Sequence, residues 1–270
     1  MKFGFIGAGN MVGAIVKGMT VGTQSYRGEQ IFLTSKSMTS ATLLAKACGT
    51  KICTTAKEVI AQSDVVILGV KPNVLSEILP LLKTDFAQKR PLVVSIAAGK
   101  SLEYLEQYLP EKTPIVRVMP NINAKIGAST TGICVNKFVE VAQKEVVIDM
   151  FSTIGTVAEI DESQFAIFST IGGASVAFAY LYMNALAQGA LKAGMPKKQA
   201  LEITAQTVLG SAKMILESQE APWTLIDQVC SPGGTTIEGI TALQAGGFET
   251  TLVKAFDAVL EKDKAIGAKK

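Results

Sequence analysis

Two glycine-bearing turns are the places where this chain could hold a charged ligand. The first, Gly7-Ala8-Gly9-Asn10-Met11, follows a short apolar run and opens a helical pattern. Gly7 would permit a tight strand-to-helix turn and Gly9 a close backbone approach to a pyrophosphate. The helix N-terminus would then offer unpaired N–H groups and the positive end of its dipole. Val12 stands where such turns usually carry a third glycine, so Gly13 and Ala14 are expected to supply the small surface for helix–strand packing. Downstream, Thr34-Ser35-Lys36-Ser37 offers hydroxyls and a cation but no carboxylate. An acidic residue there would select the ribose 2′-hydroxyl of NAD; Ser35 and Lys36 instead suit a 2′-phosphate, which makes NADPH the expected cofactor, with NADH the lesser alternative. The second turn is Ser231-Pro232-Gly233-Gly234-Thr235-Thr236. Its proline and glycines would expose backbone N–H groups just before a helix begun by Thr235 and Thr236, a nest suited to a carboxylate. Taken alone, it reads equally as a capping turn.

What the chain lacks narrows the chemistry. It contains no histidine, and Cys48, Cys53, Cys134 and Cys230 are scattered without a C-x-x-C pair, so no metal site is expected. Oxidation of an alcohol usually calls for a general base. Reduction of a protonated imine needs little beyond alignment and hydride delivery, because the electrophile already carries positive charge. Gly99-Lys100-Ser101 resembles the end of a P-loop, but Val94 occupies the position of its first glycine, and Ser101 is better read as an N-cap. A net charge of +3 without a long basic run speaks against a nucleic-acid partner.

These residues need a scaffold, and the hydrophobic pattern supplies one. Short β-branched runs over 2–6, 31–34, 51–53, 65–70, 92–97 and 115–119 alternate with helical patterns over 11–20, 40–47, 56–61, 74–82 and 102–108. Continuous apolar runs such as Val65-Val66-Ile67-Leu68 suit strands covered on both faces, which predicts a parallel sheet with helical crossovers. A strand near 131–135, a helix near 139–154 and a strand near 156–160 complete the domain. Beyond residue 161 only helices are expected: 163–193 with a break at Gly172-Gly173, then 197–218, 223–229, 236–244 and 250–266. The fold class is therefore α/β: an N-terminal Rossmann-like, doubly wound parallel sheet over 1–160, followed by an all-α domain over 161–270. The uncharged stretch 165–191 is long enough to span a bilayer. Its Ser169, Thr170, Asn184 and Gln188 favour instead a helix buried on most sides in a subunit interface, with no membrane partner and a cytoplasmic location.

Several segments together resemble the pyrroline-5-carboxylate reductase family over nearly the whole chain. They are Gly7-Ala8-Gly9-Asn10-Met11, Val70-Lys71-Pro72-Asn73, Ser95-Ile96-Ala97-Ala98-Gly99 and Arg117-Val118-Met119-Pro120-Asn121, then residues 206–213 and the 231–236 loop, in family order. The resemblance implies NADPH-dependent reduction of the cyclic imine 1-pyrroline-5-carboxylate to L-proline. It also implies a C-terminal domain that interlocks two subunits, giving a homodimer that can build larger rings such as a decamer. It places Ile6 beside the glycine turn in the cofactor set, Gly69, Val70, Lys71 and Pro72 along the ribose and nicotinamide side, and Ala97 and Ala98 near the nicotinamide ring. Met119, Ser231, Gly233, Gly234, Thr235 and Thr236 form the implied substrate set, with Thr236 as the catalytic residue that hydrogen-bonds the ring nitrogen. One segment departs from the pattern: Gly172-Gly173-Ala174-Ser175-Val176-Ala177-Phe178 stands where the family has Ser-Gly-Ser-Gly-Pro-Ala-Tyr. That departure keeps two alternatives open, a catalytically silent NADP-binding relative and a reductase of another cyclic imine. A β-hydroxyacid dehydrogenase relative would carry a catalytic lysine on the helix that follows, and none occurs from Gly172 to Gln188.

Overall fold

Side chains alternate along the strands over 3–6, 31–34, 65–68 and 92–95, and in these both alternating sets are buried. Phe3, Phe5, Val65 and Ile67 pack on one face with Val12, Ile15 and Phe151. Ile6, Val66 and Leu68 pack on the other with Val59, Ile60, Leu75 and Leu79. A strand apolar on both faces is stable only with helices on both sides, which is the doubly wound solution. The computed structural model describes residues 1–22 and 25–267.

The chain order is β1 (Phe3–Ile6), α1 (Asn10–Lys17), β2 (Ile31–Thr34), α2 (Met38–Cys48), β3 (Lys51–Ile52), α3 (Ala56–Gln62), β4 (Val65–Leu68) and α4 (Pro72–Lys89). There follow β5 (Leu92–Ser95), α5 (Leu102–Tyr108), β6 (Ile115–Met119), β7 (Ser129–Val135), α6 (Val141–Ser152) and β8 (Gly155–Glu159). The strand order β3-β2-β1-β4-β5-β6-β7-β8 reverses direction between β1 and β4. Open α/β sheets bind ligands at the carboxyl ends of strands at such a switch point. Every expected strand is present, but the sheet is not wholly parallel: β7 runs antiparallel to β6. Residues 120–128 hold only a short 3-10 turn (Ile122–Ile126), too little chain for the crossover that a parallel return requires. The α6 crossover restores parallel pairing between β7 and β8. Helix α4 also runs past the expected stop at residue 82, carrying Pro80 inside it, because Leu75, Leu79, Leu82 and Phe86 all bury on the sheet.

After β8 the chain is helical: α7 (Phe165–Phe168), a π-helical turn (Ser169–Ala174), α8 (Ser175–Lys192), α9 (Lys197–Ser218), α10 (Pro222–Val229), α11 (Thr235–Ala245) and α12 (Phe248–Gly267). Gly172 and Gly173 do not break the helix as expected; they lie in the wider π turn that carries it onward. The structure divides into two compact units, one of Met1–Gly173 with the chain from Lys262, the other Ala174–Glu261. In the second unit α8 and α9 pack together and the rings of Tyr182 and Phe248 lie 6.3 Å apart. Within the single chain only Ala187 and Ala200 are buried there, so α8 is not enclosed by its own chain.

Candidate active site

Gly7 is buried and adopts φ 112°, a conformation that side chains disfavour, and a Cβ there would come within 2.5 Å of the Gly69 carbonyl oxygen. The turn is fixed by its neighbours: Gly7 N–H donates to Thr34 O at 2.8 Å, and Gly69 N–H donates to Ile6 O at 2.9 Å. Helix α1 begins at Asn10 with Gly9 extended at the N-cap and no side chain closing it. A Cβ on Gly9 would meet nothing within 4 Å, so this position opens onto a free cradle beside unpaired amides. Helix α2 likewise starts after Ser37 without a side-chain cap. By contrast, α3 is closed by Thr55, which accepts from Glu58 N–H, and α5 by Ser101, which accepts from Tyr104 N–H. The two open helix ends lie just beyond the ends of β1 and β2, where a pyrophosphate and a 2′-phosphate would gain most from them.

Of the two small residues expected to serve helix–strand packing, Ala14 is buried in the core cluster with Phe3 and Phe5, whereas a side chain at Gly13 would meet open space. The relief is on β4's exit instead: a Cβ on Gly69 would collide with Val12 Cγ2. The missing third glycine of the turn is thus compensated from the neighbouring strand.

The register aligns Thr34, Ile6, Leu68, Ser95 and Arg117 in one row across β2, β1, β4, β5 and β6. The residues just beyond that row share one edge of the sheet. Ser35 is half-buried and Lys36 exposed after β2; Gly69 and Val70 are half-buried after β4. Lys71 is the exposed N-cap of α4, with Pro72 in its first turn. Ala97 is buried and Ala98 exposed after β5, and Met119 is half-buried at the end of β6. The residues present fit NADPH: an uncapped helix behind a glycine turn for the pyrophosphate, and hydroxyl and ammonium groups without a carboxylate for the 2′-phosphate. A groove of about 1100 Å³ runs along α1 and touches Ala8, Gly9 and Asn10, but it leaves the strand ends at Val70 and Ala97 outside its lining.

Met119 leads into a region that sequence reasoning left without a role. Asn121 is buried and donates from Nδ2 to Gly172 O at 2.7 Å, while its Oδ1 accepts from Asn123 N–H at 3.0 Å. It thereby satisfies a carbonyl in the π turn. The Phe168 ring lies close to both Gly132 and Gly172, 2.7 and 2.9 Å from where their Cβ atoms would stand, so a side chain at residue 172 would have to displace it. Asn121 belongs to a segment quoted above, but its partner lies 51 residues away and periodicity does not announce it. Cys134, opposite Arg117 on β7, is not a nucleophile here: burial and the Glu162 carboxylate, against the opposing pull of Arg117, push its thiol up to about 12. Among the described residues no cluster of metal-binding side chains is gathered.

The 231–236 loop belongs to the helical unit. Gly233 adopts φ 67° after Pro232, and Gly234 N–H donates to Ser231 O at 3.0 Å, the arrangement of a type II turn. Helix α11 then begins at Thr235 with no side-chain cap, and Thr235 and Thr236 are exposed. The turn alone does not cap the helix; its first amides stay available to an anion.

A doubly wound sheet with open helix ends around a glycine turn defines the class: an oxidoreductase that uses a dinucleotide. In keeping with that, residues 2–99 match the family model described as NADP oxidoreductase coenzyme F420-dependent, and residues 162–266 match the model for pyrroline-5-carboxylate reductase dimerisation. A pyrroline-5-carboxylate reductase of Methanosarcina acetivorans is 37% identical over 99% of this chain and 98% of its own. Among solved structures, a pyrroline-5-carboxylate reductase from Coxiella burnetii superposes with a TM-score of 0.91 at 31% identity, covering 98% of both chains. The Plasmodium falciparum pyrroline carboxylate reductase with NADP bound gives 0.87 at 29%, covering 99% of this chain and 98% of that one. The chain belongs to the pyrroline-5-carboxylate reductase family.

Proposed function

We propose that this protein reduces 1-pyrroline-5-carboxylate to L-proline at the expense of NADPH, in the cytoplasm, as a homodimer that can assemble further into a decamer. The observation that carries the reading is the free cradle at Gly9, at the uncapped end of α1, in a chain that aligns end to end with reductases of that name. Bound NADPH would supply the hydride. In this reading Ile6 and the Gly7–Met11 segment hold the pyrophosphate, Ser35 and Lys36 the 2′-phosphate, and Gly69, Val70, Lys71 and Pro72 the ribose and nicotinamide side. Ala97 and Ala98 support the ring.

Met119, Ser231, Gly233, Gly234 and Thr235 bind the imine, the uncapped amides of α11 holding its carboxylate, and the Thr236 hydroxyl hydrogen-bonds the ring nitrogen. The functional boundary is placed near residue 160, with the cofactor domain over 1–160 and the substrate and dimerisation domain over 161–270. A chain without histidine suits this reaction, since alignment of a cationic electrophile supplies much of the acceleration.

The test is the loss of reduced-nicotinamide absorbance when purified protein meets NADPH and pyrroline-5-carboxylate. Turnover to proline is expected; tight NADPH binding without turnover would replace the reading with a silent NADP-binding protein. Thr236→Ala is expected to lower kcat on the order of a hundredfold with NADPH affinity nearly unchanged, as for loss of one positioned proton-bonding group. Unchanged turnover would remove Thr236 from the mechanism.

A further inference from the structure

Glu162 opens the 3-10 turn (Glu162–Gln164) that follows β8. Its Oε1 accepts two donors from distant parts of the chain, Leu102 N–H at 2.6 Å and Arg117 Nη1 at 3.0 Å. Leu102 is the first residue of α5, so Glu162 caps that amide while Ser101 caps Tyr104. Arg117 lies on β6, two residues before Met119, with its guanidinium 4.1 Å from the centre of the buried Phe165 ring. Its side chain is only 13% exposed, so its charge depends on that one carboxylate and on the ring.

The loop between β5 and α5 is what this carboxylate steadies. Gly99 in it adopts φ 72°, and α5 is a helix of seven residues, too short to hold itself. At the β5 end the Ser95 hydroxyl accepts only a long 3.4 Å bond from Ala97 N–H. The firm attachment is at the other end, through Ser101 and Glu162. A single oxygen serving an amide and a guanidinium calls for a full charge, because charge-assisted bonds are roughly twice as strong as neutral ones.

We propose that Glu162 is a positioning residue for the reduction: its clasp on Leu102 and Arg117 keeps the 97–101 loop in register with the end of β6 that carries Met119. This rests on the reading of Ala97 and Ala98 as neighbours of the nicotinamide. Glu162 itself touches no reacting atom. It acts through the loop, where a displacement of a fraction of an ångström lengthens the path of the hydride.

Glu162→Gln keeps the shape and removes the charge, and three measurements on the whole protein decide the matter. Amide hydrogen exchange over 97–102 is expected to quicken about tenfold or more, as when a local anchor is lost. With the imine, kcat is expected to fall about tenfold while KM and NADPH affinity stay within about twofold, the mark of lost alignment rather than lost binding. The kinetic isotope effect on kcat with deuterated NADPH should rise, a change that mere loss of folded protein would not produce. Arg117→Met/Glu162→Leu removes both charges together, so it is expected to fold stably yet keep the low kcat, and it serves if Glu162→Gln folds poorly. Unchanged exchange over 97–102 in both variants, or wild-type kcat with only a lowered Tm, would overturn the proposal. If the wild-type protein fails to reduce pyrroline-5-carboxylate, the functional reading falls, and exchange alone then decides whether Glu162 fixes the loop.

Discussion

Lys36 stands exposed just after β2 beside half-buried Ser35, ahead of a helix whose first amides no side chain claims. A charge-assisted bond from an ammonium to a 2′-phosphate is worth about 1.5–3 kcal/mol. Lys36→Asp replaces that attraction with repulsion and offers a carboxylate to a ribose hydroxyl. The ratio of kcat/KM for NADPH over NADH is therefore expected to fall by about tenfold or more, and an unaltered ratio would remove Lys36 from the phosphate site. Cys134 makes a separate prediction, from burial first and the Glu162 carboxylate second. Its folded thiol titrates near 12 against an ordinary value of 9.0, so unfolding above pH 9 releases a proton that the fold retains. The contribution is complete below the ordinary value and lost as pH rises from there through the folded value. Urea unfolding at pH 7 and about pH 10 should show wild-type stability falling relative to Cys134→Ala at the higher pH; parallel curves would refute it. At this scale the sequence announced the glycine turn, because a φ of 112° at Gly7 is a local demand that glycine meets. Asn121 and Glu162 were not legible in the same way, since their partners Gly172, Leu102 and Arg117 are set by the tertiary fold.

Among the elements, the contact between α1 and β4 shows how one departure from a motif is absorbed elsewhere. Val12 is buried at 1% exposure, and its Cγ2 occupies the space that a Cβ on Gly69 would need. Gly69→Ala is accordingly expected to cost about 1–3 kcal/mol by overpacking and, on the proposed placing of the pyrophosphate at the start of α1, to weaken NADPH binding. Val12→Ala removes the obstructing methyl, so the double variant should recover on the order of 1 kcal/mol relative to the sum of the single changes. Chemical denaturation of the four proteins measures that coupling, and strict additivity would mean the two side chains do not meet. Periodicity located the central strands because their apolar runs are continuous and short. It misjudged the direction of β7, which follows from the length of 120–128 rather than from any residue's preference. It also stopped α4 at residue 82, while the burial of Phe86 carries the helix to Lys89 past Pro80.

For the whole molecule, the decisive fact is the helical unit's want of a core. Between Ala174 and Glu261 only two alanines are buried, while Leu181, Leu209, Leu216 and Val229 are exposed at 69, 62, 80 and 65%. The stretch Glu162–Lys192 is long and apolar enough to cross a membrane by length and composition, with 17% of its most apolar window buried within the chain. Isolated helices gain little from propensity, so helices that bury so little of their own need cover from outside the chain. A second copy presenting the same helices supplies it, in line with the dimerisation model matched over 162–266. Leu181→Glu/Leu209→Glu would place carboxylates on α8 and α9, where burying each against a second copy costs far more than leaving it in water. Light scattering is expected to show the wild-type protein as a dimer or larger and the variant as a monomer. Because the unit has so little core, helical circular dichroism should fall with the loss of assembly, and the wild-type Tm should rise with protein concentration. A wild-type monomer at micromolar concentration, with full helicity and a concentration-independent Tm, would mean that these apolar faces are stable in water and that another explanation of α8 is required.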